Sequence, residues 1–159
     1  MRAFFCVLIV SMAAACGAPQ QPAEEATTEQ ISSMRLQVLD TWASPTLGGV
    51  DVSAGYLTIA NDGDSADQLV SASSARAARV EIHEMTMDGA VMQMRSIAAL
   101  PIGPGERIEL APGGRHLMFF GVTQPFAAGE EIPVQLTFEH AGVMDIALPV
   151  RAGATHGQH

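Results

Sequence analysis

Two histidines and a run of methionines are the side chains in this sequence best suited to chemistry. His83 and His116 lie in apolar, strand-like text. Met118 follows His116 by two residues, and Met94 stands eleven after His83. Met85, Met87 and Met92 fall in the same stretch, so five of the nine methionines lie between residues 85 and 118. Both cysteines, Cys6 and Cys16, come earlier than residue 17. The rest of the chain therefore offers imidazoles and thioethers but no thiolate. That excludes a cysteine zinc site, a disulfide framework, a thiol nucleophile and the His2Cys blue-copper arrangement. Thioethers are soft, weakly basic donors that hold Cu(I) and discriminate against Zn(II), Mg(II) and Ca(II), whereas imidazole accepts copper in either oxidation state. In an oxidising compartment such donors have a further merit, because methionine is not cross-linked as cysteine is. The competing use of methionine is core filling, and Met85, Met87 and Met92 individually read as rim or core residues.

Strands must position these groups. Residues 34–39, 55–60 and 78–83 alternate apolar and polar at period two, and residues 91–94, 107–110, 116–120, 133–138 and 143–150 complete a set of eight or so short strands. Strand geometry puts His116 and Met118 on one face and Leu117 and Phe119 on the other, and it sets Glu81 and His83 opposite Val80 and Ile82. A hairpin through Met87-Asp88-Gly89-Ala90 brings Met94 back beside the His83 strand. Met85 shares the face of His83, and Met92 has the parity of Met94. Turns are marked by Asn61-Asp62-Gly63-Asp64, Gly103-Pro104-Gly105, Pro112-Gly113-Gly114 and Ala128-Gly129. Residues 71–78 could make one helical turn, and no longer helix is predicted. The pattern specifies an all-β antiparallel sandwich or barrel over residues 34–150.

The spacing of His83, ten residues, Met94, twenty-one residues, then His116-Leu117-Met118 resembles the signature of periplasmic copper chaperones of the PCuAC family. The flanking text is similar as well: Tyr56-Leu57-Thr58-Ile59-Ala60-Asn61, Asp67-Gln68-Leu69-Val70, Val80-Glu81-Ile82-His83-Glu84 and Gly113-Gly114-Arg115-His116-Leu117-Met118. The resemblance covers residues 34–150. It implies a cupredoxin-like Greek-key antiparallel β-sandwich that binds one Cu(I) near its surface through His83, Met94, His116 and Met118. It further implies delivery of copper to the dinuclear centre in cytochrome c oxidase subunit II, alongside thioredoxin-like copper assembly factors. Arg115 and Glu84 would either orient the ligands or stand as solvated neighbours. Some relatives carry His- and Met-rich tails that bind Cu(II). Here the tail, residues 151–159, has only His156 and His159, and a solvated tail is the expectation. His140, beside a Gly turn, reads as structural or exposed.

The ends of the chain speak to its location. Arg2, the apolar run from Ala3 to Val10 and the small residues Ala13-Ala14-Ala15 read as a signal peptide over residues 1–15. Cys16-Gly17 resembles a bacterial lipobox, with Ala13 where Leu is usual, so Cys16 is the expected site of a lipid anchor. Residues 16–33, rich in Pro, Gln, Glu and Thr, form a tether. These features predict a periplasmic, membrane-anchored lipoprotein of a Gram-negative bacterium. Eight Arg, no Lys and 17 Asp plus Glu give a net charge of −9, and loss of the leader removes Arg2 to leave −10. That balance excludes nucleic acid as a partner and suits a cationic cargo. An enzyme is not expected. His83-Glu84-Met85-Thr86-Met87 lacks the second His of a zincin, and no Gly-x-Ser-x-Gly elbow occurs. The remaining alternative is a metal-free lipoprotein sandwich that serves as a binding or assembly module.

Overall fold

The computed structural model describes residues 35–48 and 50–152. The leader, Cys16, the tether, Met34, and His156 and His159 of the tail lie outside the described residues. Ten strands run in chain order: β1 Leu36–Ala43, β2 Val52–Asn61, β3 Asp67–Ser73, β4 Ala77–Asp88, β5 Val91–Ile97, β6 Leu100–Ile102, β7 Arg107–Leu110, β8 Arg115–Val122, β9 Glu131–Phe138 and β10 Gly142–Pro149. No α-helix occurs among the described residues.

All ten belong to one antiparallel hydrogen-bonded sheet, in the order β1-β2-β8-β4-β3-β9-β10. Three short strands branch from this path: β5 from β4, β6 from β3 and β7 from β2. Because β8 lies between β2 and β4, the chain crosses over in Greek-key fashion rather than meandering. The sheet folds over a single core and nearly closes, with a parallel bridge from Ala43 to Val150 joining its ends. The all-β antiparallel architecture is the expected one.

The core is built by alternate residues of each strand. Leu57 and Ile59 of β2, Leu117 and Phe119 of β8, Leu136 of β9 and Leu148 of β10 are almost wholly excluded from water. Phe119 meets Phe126 edge to face at 5.4 Å between ring centroids. Gly55 permits this packing: a Cβ there would lie 2.8 Å from Leu148 Cδ1 and 2.9 Å from Phe119 Cε2.

Two strands escaped the period-two reading, and each has a physical reason. β3 occupies Asp67–Ser73, so the helical turn expected over residues 71–78 is not formed. A register shift between Leu69 and Ser71 in the pairing with β9 breaks the alternation that would have marked it. β6 is only three residues long and carries Pro101 at its centre. It pairs with β3 alone, and proline is tolerated on such an edge.

Candidate metal centre

The four candidate ligands stand on three neighbouring strands, with β4 in the middle. His83 of β4 pairs directly with His116 of β8, and their ring centroids are 5.8 Å apart. Met118 of β8 is opposite Glu81, and Met94 of β5 is opposite Met85. Paired residues share a face, so both thioethers stand on the face of the two imidazoles, each one diagonal step from His83. Diagonal neighbours lie ~7–8 Å apart, within reach of long side chains. The two methionines take opposite diagonals: Met118 lies toward Glu81, and Met94 toward the tip of the β4–β5 hairpin. Met118 is partly buried, while Met94 is 49% exposed. The structure thus brings the imidazoles together directly and sets Met94 at the outer margin.

The hairpin turn decides where Met94 falls. The expected turn, Met87–Ala90, would have put Met94 straight across from His83. The observed turn is Asp88–Val91, and His83 instead faces Ser96. Gly89 has φ +62° as the first central residue, a type II′ arrangement that needs only one left-handed residue. A turn centred on Asp88 and Gly89 would favour positive φ at Asp88 as well. Moving the turn by one residue moves every partner by two, so the face is conserved.

Aromatic side chains wall the histidine pair. Tyr56 lies 6.4 Å from the His116 ring, Trp42 lies 4.2 Å from Tyr56, and Phe120 lies 5.8 Å from His83. Trp42 reaches this face through a bulge. Between Leu39 and Trp42, β1 carries one residue more than β2, and Asp40 within it has φ +52°. Without the extra residue Trp42 would turn to the core side. No sequence motif announced Trp42, because a bulge is invisible to period-two counting.

A carboxylate also touches the pair. Glu81 accepts a hydrogen bond from His83 Nε2 at 2.8 Å through Oε2, and Oε1 receives Arg79 Nε at 2.6 Å. The Arg79 guanidinium lies 4.3 Å above the Phe120 ring. The His83 hydrogen bond, helped by Arg79, holds the Glu81 carboxyl below its ordinary pKa. With Nε2 donating to Glu81, the remaining ring nitrogen of His83 is Nδ1, which is buried and has no hydrogen-bond partner. On the second ring, His116 Nδ1 donates to the Gly114 carbonyl at 3.2 Å, which leaves Nε2 with the lone pair. Burial pushes the His116 pKa below its usual value, reinforced by neighbouring His83 and opposed by the Gly114 carbonyl. Neutral imidazole is the form that ligates. The Glu81–His83 contact was readable only in part: parity put both residues on one face, but nothing singled out the carboxylate.

Glu84 and Arg115 do not serve the imidazoles. They occupy the reverse face, where Glu84 binds Arg115 at 3.1 Å and Arg95 at 3.2 Å and ties β4 to both neighbours. His140 is structural, its ring and backbone N–H both donating to Asp67. Among the described residues no three His, Cys, Asp or Glu side chains are grouped as a metal cradle. The side chains that share the face of the two imidazoles also include the thioethers of Met118 and Met94, soft donors of the kind that suit a monovalent ion.

Comparison with known proteins gives a consistent picture. Residues 36–150 match the model of a family described as "Putative lipoprotein LpqE-like". A protein of Leifsonia xyli subsp. xyli, named "Putative lipoprotein Lxx21020", is 31% identical over 117 residues, which cover 73% of this chain and 69% of that protein. Among solved structures, the copper-bound PCuAC domain from PmoF2 superposes with a TM-score of 0.64 at 25% identity, over 74% of this chain and 93% of that domain. The Cu(I) form of DR1885 from Deinococcus radiodurans superposes with a TM-score of 0.60 at 23% identity, over 84% and 91% of the two chains. That last likeness speaks to the fold.

Proposed function

The chain belongs to the LpqE-like family and has the PCuAC fold, and from that premise we propose that it is a copper chaperone rather than an enzyme. Its cargo is one Cu(I), held by His83, His116 and Met118 and closed over by Met94. One observation carries this reading: two register-paired imidazoles, the first with a buried, unpartnered Nδ1, share a face with thioethers on three adjacent strands. Two nitrogens and two sulfurs give Cu(I) enough donors for capture, and thioethers exchange readily enough for release. Glu81 orients the His83 ring and balances the incoming positive charge. Capture and release are ligand substitutions, with no electron transferred. Met94, exposed and diagonal to His83, is the donor best placed to open toward an acceptor.

The copper-bound PCuAC domain from PmoF2 and the lipoprotein names support this reading. In it, residues 1–15 direct export, a lipidated Cys16 anchors the protein in the periplasm of a Gram-negative bacterium, and residues 16–33 let the domain reach acceptors. The acceptor is the dinuclear copper centre of cytochrome c oxidase subunit II, served together with thioredoxin-like assembly factors.

The test is anaerobic Cu(I) titration against a chromophoric chelator, followed by transfer. The wild type should retain one tightly held equivalent, and the His116→Ala, Met118→Ala double variant should lose it. Loaded protein mixed with the apo soluble domain of oxidase subunit II should yield copper that co-elutes with that domain. Unchanged affinity in the double variant would remove the assigned site. Copper that stays with the chaperone would remove the assigned acceptor.

A further inference from the structure

Met85 N–H still donates to the Gly114 carbonyl just before β8, but beyond it β4 continues to Asp88 and pairs only with β5, so the end of the hairpin projects from the body of the sheet. Its two faces differ sharply in composition. One presents the rungs Glu84–Arg95, Thr86–Gln93 and Asp88–Val91, and the other presents Met85–Met94 and Met87–Met92. Met87 is 64% exposed and Met92 57% exposed, so neither fills the core, which is the usual employment of methionine. Of the two places that the sequence reading allowed these side chains, rim or core, Met87 and Met92 take the exposed one.

The turn fixes their separation. In a two-residue hairpin the closing pair Asp88–Val91 is hydrogen-bonded, so Met87–Met92 and Met85–Met94 are both non-hydrogen-bonded pairs. Such pairs have the closer side chains, with Cα atoms ~4.5 Å apart. Two flexible thioethers at that spacing can converge on one ion above the strand pair. The next rung supplies two more sulfurs, and the rung beyond begins the histidine pair.

We propose that this hairpin carries a second, outer soft-metal site, with the sulfurs of Met87 and Met92 as donors and Met85 as a third, for a monovalent d10 cation such as Cu(I) or Ag(I). The site rests on register, exposure and donor chemistry. Its role as the step through which cargo enters and leaves the histidine pair rests on the copper reading above. With sulfur donors alone, the outer site binds more weakly than the mixed centre, as a transfer position requires. Movement between the two exchanges one thioether at a time, from Met85 of the outer site to Met94 of the inner one across the rung they share, and involves no change in oxidation state.

Ag(I), diamagnetic and redox-stable, is the probe, titrated into protein labelled with carbon-13 at the methionine methyls. The first equivalent should shift the methyl resonances of Met94 and Met118, and the second those of Met87 and Met92. The Met87→Leu, Met92→Leu variant, which conserves size at exposed positions, should lose one bound equivalent and leave the first step intact. Met87 and Met92 methyls that stay unmoved through three equivalents would overturn the outer site. Movement of those methyls with Met94 and Met118 silent would uphold the outer site and remove the inner donor set.

Discussion

Replacement of Glu81 probes how the fold prepares His83. The Glu81 carboxylate holds His83 Nε2 at 2.8 Å and Arg79 Nε at 2.6 Å, so it fixes the imidazole tautomer and neutralises a guanidinium beside the candidate ion. Glu81→Gln keeps an acceptor of the same reach but removes the charge, leaving Arg79 as a net cation near the site. Glu81→Ala removes both and frees the ring to rotate. Loss of a partner that orients a ligating histidine typically weakens metal binding about 10–100-fold. The Gln variant should fall at the lower end of that range and the Ala variant at the upper. The assay is Cu(I) competition with a chromophoric chelator at pH 7 under anaerobic conditions, with thermal melts of the apo proteins as the control for folding. Apo stability should change little, because Glu81 is partly exposed on the outer face. Affinities of both variants within twofold of the wild type would refute the assignment of Glu81 as the positioning group for His83.

Three further outcomes follow from the fold. Gly55→Ala drives a methyl group into Leu148 and Phe119 and should cost about 1–3 kcal/mol, a fall in Tm of roughly 4–12 °C, with copper stoichiometry unchanged in the folded fraction. Asp67 is buried, which pushes its pKa up, but hydrogen bonds from the Ala141, His140 and Gln68 backbones and the His140 ring outweigh this and hold it below the ordinary value. Its stabilisation is therefore complete above the unfolded carboxylate pKa of about 4 and is lost as pH falls through the lower folded value. Denaturant melts should show Asp67→Asn destabilised by about 1–3 kcal/mol at pH 7, with the gap closing below about pH 4. Asp40→Val places a β-branched side chain at φ +52° and should lower stability while disturbing Trp42, whereas Asp40→Gly should be tolerated. Trp42 is the sole tryptophan, so its emission reports the bulge directly.

Much of the site was legible because strand parity is a strict rule. His116 and Met118 at i and i+2, and Glu81 and His83 likewise, had to share faces wherever their strands lay. Apolar Leu117 and Phe119 between them told which face was outer. The position of Met94 was legible as to face but not as to rung, since that depends on whether Asp88 or Gly89 takes the left-handed conformation. Trp42 and β3 were hidden for the same reason: an irregularity in strand pairing displaces the alternation on which the reading depends. Glu84 shows the opposite failure. Adjacent in sequence to His83, it lies on the other side of the sheet, while Glu81, two residues away, makes the contact.

X-ray absorption at the copper edge of the Cu(I)-loaded protein tests the central claim most directly, because nitrogen and sulfur scatterers are distinguishable there. The account predicts a single mixed shell of two imidazole nitrogens and two thioether sulfurs at one equivalent of copper, with the sulfur contribution reduced in Met118→Ala. A shell containing only nitrogen and oxygen, or one unchanged by loss of Met118, would contradict it.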